Sequence, residues 1–207
     1  MDGAGNTLVT GSTQSADLAG ANNSYHGGTN DAFVAKLNPA LFDATKFHVV
    51  NDASQDQTYD YNSGGAPVES YSLTSGNTAP RGVATTIAGE RVWVVDANRK
   101  VYVYNTSGGL LGSWTAGSLA SNATVEDITV CGSDVWIVDA RSDKVFRYSG
   151  AASRLSGSQN TASSFSLNRS NTNPKGMVTD GTSLWVVNDS TAGTRWPASS
   201  TACSRAS

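Results

Sequence analysis

A tryptophan and an acidic residue recur side by side in this sequence, and both residue types can bind ligands. The stretch from Val92 to Tyr104 reads V-W-V-V-D-A-N-R-K-V-Y-V-Y, two apolar runs joined by a polar turn. The stretch from Val135 to Tyr148 repeats it, a further copy begins at Leu184 with L-W-V-V-N-D, and a weaker copy runs from Phe47 to Tyr61. The repetition raises the question of whether these residues form a site or build the fold.

The polar position after each apolar run is the first candidate. It holds Asp96, Asp139 and Asn188, and Asn51 in the weaker copy. Asp and Asn side chains commonly close turns by hydrogen bonding to the backbone, so we interpret these residues as turn residues. The alternative is a ring of oxygens at one end of the fold that binds calcium or a polar ligand. No D-x-D-x-D-G loop supports that alternative. We therefore assign no cofactor and leave calcium open.

The recurring tryptophans are the second candidate. Trp93, Trp136 and Trp185 occupy the same place in successive copies, and we predict that they pack between repeats. A rim of indole rings that stack on a sugar is the alternative. Gly82 and Gly176, each in a P-x-G segment ahead of its copy, complete the repeat-defining positions.

The sequence offers few residues for catalysis. A catalytic zinc site needs about three protein ligands, whereas the chain has only two histidines, His26 and His48. His48 replaces a repeat tryptophan and is predicted to be buried. No G-x-S-x-G motif is present, and no G-K-[ST] follows Gly108-Gly109. We assign no catalytic and no metal-binding residue.

The spacing of the copies indicates the architecture. Aligning His48 with the three tryptophans gives spacings of 45, 43 and 49 residues, and repeats of about 40 to 50 residues that hold four strands are typical of propeller blades. The clearest copy predicts four strands, and the next copy repeats them. The predicted strands are residues 83–87, 92–95, 101–104 and 110–114, then 125–130, 135–138, 145–148 and 165–167.

The second strand of each copy favours a propeller over a two-sheet sandwich. Val92 to Val95 is apolar at every position, which is typical of a strand buried on both faces. A central strand of a propeller blade packs between two neighbouring blades, whereas a sandwich strand alternates apolar and polar residues. We predict an all-β fold of four-stranded antiparallel blades, with about four to five blades present in an incomplete ring.

Two sets of residues resemble known propeller repeats. Asp2, Gly5 and Asn6 followed by Val9-Thr10-Gly11, and then Asp31-Ala32-Phe33-Val34-Ala35-Lys36-Leu37, resemble a bacterial propeller repeat of the type D-x-x-G-N-x-x-V-T-G…D-A-F-V-A-K-L. From about residue 45 to 190, the arrangement P-x-G-φ…V-W-V-V-D…V-Y-V-Y…G-G-x-L, with φ an apolar residue, resembles NHL-type repeats. These resemblances imply a β-propeller from a bacterial repeat protein. NHL-like lyases use histidine-rich metal centres, which two histidines do not supply.

The repeat pattern also suggests the organisation of the chain. We predict a partial propeller repeat at residues 1–40 and NHL-like blades at 41–190. After Asn188 the expected K-V-x-x-Y strand is replaced by a Ser/Ala-rich stretch. We therefore interpret 191–207 as an irregular tail, either out of frame or a spurious end. The chain then reads as a fragment of a larger propeller, and its open blade edges would allow self-association.

Composition narrows the function classes. Charged residues make up 15% of the chain, against about 25% in a typical soluble domain. The net charge is −3 without a run of like charges, so we expect no nucleic-acid partner. No apolar run is long enough to span a membrane, and no signal peptide opens the chain. Cys131 and Cys203 are too few for a disulfide scaffold, and Cys131 is predicted to be a buried free thiol.

These observations predict a binding protein rather than an enzyme. We expect a non-catalytic module, extracellular or in the cell envelope, that binds a protein or a glycan through the loops at one end of its blades. Two alternatives stay open. One is a propeller lyase or hydrolase with a cation in the central channel, and the other is a purely structural spacer.

Overall fold

The fold is described from a computed structural model, which gives residues 7–13, 31–37, 47–52, 55–62, 64–85 and 90–189. The chain divides into two compact units, Met1–Ala44 and Thr45–Ser207. In the first unit β1 (Thr7–Thr13) pairs antiparallel with β2 (Asp31–Leu37). Residues 14–30, with His26, and the predicted tail at 191–207 lie outside the described residues.

The second unit consists of antiparallel β-propeller blades in an open arc, as the repeat pattern predicted. Four sheets follow one another along the chain, and we call them blades 1 to 4. Blade 1 contains β3 (Phe47–Asn51), β4 (Gln57–Tyr61) and β5 (Pro67–Ser72). Blade 2 contains β6 (Pro80–Thr85), β7 (Arg91–Asp96), β8 (Lys100–Asn105) and β9 (Leu110–Ala116).

Blades 3 and 4 continue the same order. Blade 3 contains β10 (Val125–Cys131), β11 (Asp134–Asp139), β12 (Lys144–Tyr148) and β14 (Ser163–Ser166). The short strand β13 (Ser158–Gln159) precedes β14 in the chain but is not part of this sheet. Blade 4 contains β15 (Pro174–Thr179) and β16 (Leu184–Asn188). The first strands β6, β10 and β15 pack against one another along the inner side of the arc.

The burial of β7 shows why its sequence is apolar throughout. Val92 and Val94 belong to the apolar cluster shared with blade 1, which includes Leu73. Trp93 and Val95 alternate with them and belong to the cluster shared with blade 3. Each face of the strand is thus covered by a different blade, and the prediction of a strand buried on both faces is confirmed.

The predicted strands of blades 2 and 3 are confirmed, with small differences at their ends. The largest difference is at β6, which begins at Pro80 rather than Val83 because Pro80 pairs with Asp96 across a β-bulge. A proline fits here, because the first position of a strand does not require its missing N–H.

The strand β13 was not predicted. After a 3₁₀ turn at Ala151–Ser153, the segment with β13 returns to blade 2 and pairs parallel to β9. The backbone N–H groups of Ser113, Thr115 and Gly117 donate to carbonyls of this segment at 3.0, 2.9 and 2.7 Å. Because the pairing uses backbone groups, it does not require an apolar pattern, and the polar sequence around Ser158 did not predict a strand. The segment covers the outer edge of blade 2, an edge that would otherwise be open to other strands.

Cys131 departs from its prediction. The residue ends β10 and is buried as expected, with 4% of its surface exposed. It is not a free thiol, however, because its sulfur is disulfide-bonded.

Candidate functional site

The polar turn positions that the sequence singled out, Asp96, Asp139 and Asn188, lie at one end of the blades. The strand register places Pro80 opposite Asp96, Val125 opposite Asp139 and Pro174 opposite Asn188. The starts of the inner strands therefore lie beside the turns that follow the second strands. We call these strand starts, these turns and the loops that precede the inner strands the blade-end surface.

Asp96 holds two parts of this surface together. Its side chain is 1% exposed, and Oδ1 accepts a hydrogen bond from the backbone N–H of Asn98 at 2.8 Å. Oδ2 accepts one from the N–H of Ala79 at 2.8 Å, just before β6. One carboxylate thus closes the turn and fixes the entry to the inner strand.

Asp139 and Asn188 repeat this arrangement. Asp139 accepts hydrogen bonds from the N–H of Thr124 at 2.7 Å, the N–H of Arg141 at 3.1 Å and the hydroxyl of Ser142 at 2.6 Å. The Asn188 amide oxygen accepts one from the N–H of Asn173 at 2.8 Å. These oxygens are directed at N–H and O–H donors, which is the geometry of a turn latch rather than of a cation ring.

Charged side chains surround the inner strands at this end and join neighbouring blades. Arg81 on β6 contacts Asp52, which follows β3, with 2.5 Å between Nη1 and Oδ2. Lys175 on β15 contacts Glu126 on β10, with 2.7 Å between Nζ and Oε1. The Arg81 and Lys175 side chains are 39% and 43% exposed, and their partners Asp52 and Glu126 are 38% and 15% exposed. Both basic side chains are therefore accessible at the surface, and in the Lys175 pair the basic member is the more exposed.

Further exposed basic residues lie on the neighbouring turns and loops. Lys100 begins β8 directly after the Asp96 turn, Arg141 lies in the Asp139 turn, and Arg169 lies in the loop before β15. The two latch carboxylates at this end are buried, whereas Asp52 and Asp189 are exposed. The exposed basic side chains therefore outnumber the exposed acidic ones at this end, although the whole chain carries −3.

Asp127 lies beneath this surface and was not singled out by the sequence. Its Oδ2 accepts a hydrogen bond from the N–H of Met177 at 2.6 Å, and its Oδ1 accepts one from the N–H of Ile128 at 2.8 Å. Burial raises the pKa of this carboxyl from 3.8 to about 7, although both hydrogen bonds oppose the change. Glycine occupies the same position in blades 2 and 4, so alignment of the repeats would have marked Asp127 as the exception.

The repeat tryptophans are divided between two environments. Trp93 and Trp136 are each 3% exposed inside the clusters between blades. Trp185 is 37% exposed, in contrast to the predicted packing between repeats, because the described residues place no blade on that side of blade 4. Trp114, which lies outside the repeat register, is buried and packs edge-on against Tyr148, with 5.3 Å between the ring centroids.

The channel side of the inner strands forms a groove of about 430 Å³. It is lined mainly by apolar residues of β6, β10 and β15, with Thr85, Thr129 and Thr179 among them. The hydroxyls of Thr85 and Thr179 donate to the carbonyls of Arg91 and Ser183. The groove is part of the inner wall of the arc. Asp180 lies at the end of the groove that is farther from Arg81 and Lys175.

A polar cluster is buried between blades 1 and 2. His48 is buried as predicted, with a 7% exposed side chain, and its Nδ1 lies 2.7 Å from Oδ1 of the fully buried Asp60. Tyr71 lies in the same cluster, and burial together with the negative charge of Asp60 raises its pKa to about 12. The sequence marked His48 as a replaced tryptophan but gave no sign that β4 supplies its partner.

Comparison with known proteins shows no family for this chain but finds solved structures that are similar to part of it. No protein-family model matches the chain, and no curated protein matches it. Among solved structures, the chain is similar to Hsv2 of Kluyvelomyces marxianus, at 14% identity over 69% of this chain and 46% of that one, with a TM-score of 0.49. BamB from Moraxella catarrhalis has 13% identity over 69% and 44%, and apo AztD from Citrobacter koseri has 9% over 58% and 32%, each with a TM-score of 0.40. The chain spans less than half the length of each of these proteins.

The described part of the chain, residues 7–13, 31–37, 47–52, 55–62, 64–85 and 90–189, has neither a metal-binding cluster nor a membrane-spanning helix. Among those residues, no three His, Cys, Asp or Glu side chains come together as a set that could hold a metal ion. Within the same residues, no helix has the length and apolar character to cross a membrane.

Proposed function

We propose that this chain is a non-catalytic interaction module that binds an acidic segment of a partner protein through its blade-end surface. The observation that carries the proposal is the exposure of Arg81 and Lys175. Both project from inner strands of different blades at the same end, and both are more than a third exposed despite their ion pairs. A partner with carboxylates at matching spacing would contact both.

The turn latches support this role because they hold the surface in a fixed shape. Asp96 and Asp139 each tie a turn to the start of an inner strand through hydrogen bonds of 2.7 to 3.1 Å. A surface that is ordered before binding loses less conformational entropy when the partner arrives. Lys100 and Arg141, which flank the latches, are thereby presented on ordered turns.

A protein partner accounts for the surface better than a glycan does. Binding of a sugar by stacking requires an exposed aromatic ring at the blade end. Trp93 and Trp136 are each 3% exposed, and Trp185, at 37%, lies on a face of blade 4, paired across the strands with Val178, and not at its end. The exposed groups at the blade end are charged side chains, which suit carboxylates. Glycan binding is therefore the alternative that the array experiment below tests.

We further propose that the module works outside the cytoplasm, in the cell envelope or the extracellular space. The disulfide-bonded state of Cys131 supports this location, because disulfides persist in oxidising compartments. The low fraction of charged residues agrees with it. Thiol alkylation of the unfolded chain without reductant tests this location, and a reactive Cys131 would contradict it.

Parallel arrays of charged peptides and of glycans test the class of partner. The chain is labelled and applied to both arrays at low and at physiological salt. We expect acidic peptides to bind, with weaker binding at higher salt because exposed charges are screened. The double variant Arg81→Gln and Lys175→Gln should lose most of this binding.

The matched control is Arg91→Gln, which removes a positive charge at the opposite end of β7. Surface ion pairs contribute at most about 1 kcal/mol to stability, so all three substitutions should leave the fold intact. Peptide binding that survives the double variant would contradict the proposed surface. Binding to glycans alone would replace the protein partner, and binding to neither array would favour a structural spacer.

A further inference from the structure

Among the described residues of the second unit, blades 1 and 4 each have one apolar face that no other described blade covers. On blade 4, Val178, Trp185 and Val187 are 57%, 37% and 60% exposed, and we call them the trailing face. On blade 1, Phe47 and Val49 are 55% and 48% exposed, and we call them the leading face. Large exposed apolar residues clustered on one face mark interaction surfaces in soluble proteins.

The alternation along each strand shows that these faces point away from the neighbouring blades. Leu184 and Val186 on β16 pack in the cluster with blade 3, so Trp185 and Val187 lie on the opposite side of the strand. Val50 on β3 packs in the cluster with blade 2, so Phe47 and Val49 lie on the opposite side. The two exposed faces are therefore the two ends of the arc.

The internal interfaces show what covers such faces elsewhere in the same chain. Trp136 and Val138, which hold the positions of Trp185 and Val187 in blade 3, pack against the inner and second strands of blade 4. Val92 and Val94, which hold the positions of Phe47 and Val49 in blade 2, pack against Val50 and Leu73 of blade 1. Each interior interface thus joins a trailing face to a leading face.

The described part of the second unit thus has one exposed face of each kind, and faces of these two kinds pack together at its internal interfaces. We propose that a second copy of this chain covers the trailing face of blade 4 with its own leading face of blade 1. The contact is head to tail, because the two surfaces are different residues. Two copies that join in this way at both ends would close a ring, and the blade faces involved are separate from the blade-end surface.

Sedimentation of the full chain measures this association directly. We expect the mass to rise with concentration from the single chain of 21.4 kDa to twice that value or more. Trp185→Glu should abolish the association because a charge on the trailing face would be buried without a partner. Phe47→Glu should do the same at the leading face. Leu110→Glu serves as the control, since Leu110 is 47% exposed on β9, away from both faces.

A mixture of the two face variants distinguishes head-to-tail association from other contacts. Trp185→Glu keeps its leading face and Phe47→Glu keeps its trailing face, so an equimolar mixture should form dimers that stop at two chains. Circular dichroism of each variant verifies its fold. A wild type that stays a single chain at the highest concentration would overturn the proposal, as would variants that associate alone or a mixture that does not.

The double variant Arg81→Gln and Lys175→Gln separates this inference from the proposed function. It should associate as the wild type does while losing peptide binding. Loss of both properties together would show that the association uses the blade-end surface and would overturn the head-to-tail contact.

Discussion

The carboxylate of Asp127 on β10 accepts a hydrogen bond from the backbone N–H of Met177 on β15, with 2.6 Å between Oδ2 and the nitrogen. The same side chain lies against Gly82 of β6, where an added Cβ would stand 2.1 Å from Oδ1. One acidic residue therefore contacts the inner strands of three blades, at a position where blades 2 and 4 have glycine.

The first prediction concerns the dependence of stability on pH. Burial raises the pKa of Asp127 from 3.8 to about 7 in the folded chain. The protonated carboxyl therefore contributes fully to the free energy of unfolding below pH 3.8, and this contribution is lost as the pH rises through about 7. The loss amounts to at most ~4 kcal/mol. Asp127→Asn cannot ionise, so its melting temperature should fall less than that of the wild type between pH 5 and pH 8.

A matched variant separates this effect from the general titration of the chain. Asp180 is an exposed aspartate whose pKa is lowered by hydrogen bonds from the N–H groups of Ser183 and Thr182. Asp180→Asn should keep the wild-type decline between pH 5 and pH 8. Equal slopes for Asp127→Asn and the wild type would refute the role of Asp127.

The second prediction compares two glycines at the same repeat position. A Cβ on Gly82 would lie 2.7 Å from the Cα of Asp127 and 2.9 Å from the nitrogen of Ile128, so the backbone of β10 would have to move. A Cβ on Gly176 would meet nothing closer than 3.8 Å. We expect Gly82→Ala to cost ~3 kcal/mol and Gly176→Ala to change stability by less than ~1 kcal/mol.

Urea unfolding of both glycine variants measures the difference. Adding Asp127→Gly to Gly82→Ala should not restore stability, since the close contacts include backbone atoms of β10. A Gly82→Ala chain as stable as Gly176→Ala would contradict the close approach of β6 and β10.

The third prediction concerns the turn latch at Asp139. Asp139→Ala leaves three donors without their acceptor and should cost ~2 to 4 kcal/mol. Asp139→Asn should cost about 1 kcal/mol, because an amide oxygen can still serve, as Asn188 does in blade 4. Chemical denaturation measures both values. Full stability of Asp139→Ala would mean that the latch contributes nothing.

The fourth prediction concerns His48, where the repeat pattern and the structure favour different residues. The pattern favours tryptophan here, whereas the structure places Nδ1 of His48 2.7 Å from the buried carboxylate of Asp60. His48→Trp should therefore destabilise blade 1 by ~2 kcal/mol or more, because the indole has no N–H at the position of Nδ1 to donate to Asp60 and its larger ring would crowd β4. Thermal unfolding measures the change. A gain in stability would show that the repeat position matters more than the polar pair.

Much of the fold follows from the sequence because it depends on apolar periodicity. The run Val92 to Val95 has no polar position, and this requires apolar cover on both sides, which neighbouring blades provide. The turn residues Asp96 and Asp139 could be placed because their hydrogen bonds are mostly local in sequence.

The features that escaped prediction depend on distant partners. The role of Asp127 depends on its contact with β15, which the sequence of β10 does not show. The role of His48 likewise depends on Asp60 of the next strand. The pairing of β13 with β9 uses backbone groups, which leave no mark on residue type. The charged blade-end surface joins residues up to 49 positions apart, and only the register of the blades brings them together.

The most direct measurement is the fluorescence anisotropy of a labelled hexaglutamate peptide titrated with the wild-type chain and with the Arg81→Gln, Lys175→Gln double variant. We expect saturable binding to the wild type that weakens as salt rises, unchanged binding to Arg91→Gln, and a loss of at least tenfold in affinity for the double variant. No binding at low salt, or equal binding to the wild type and the double variant, would contradict a blade-end surface that recognises an acidic partner.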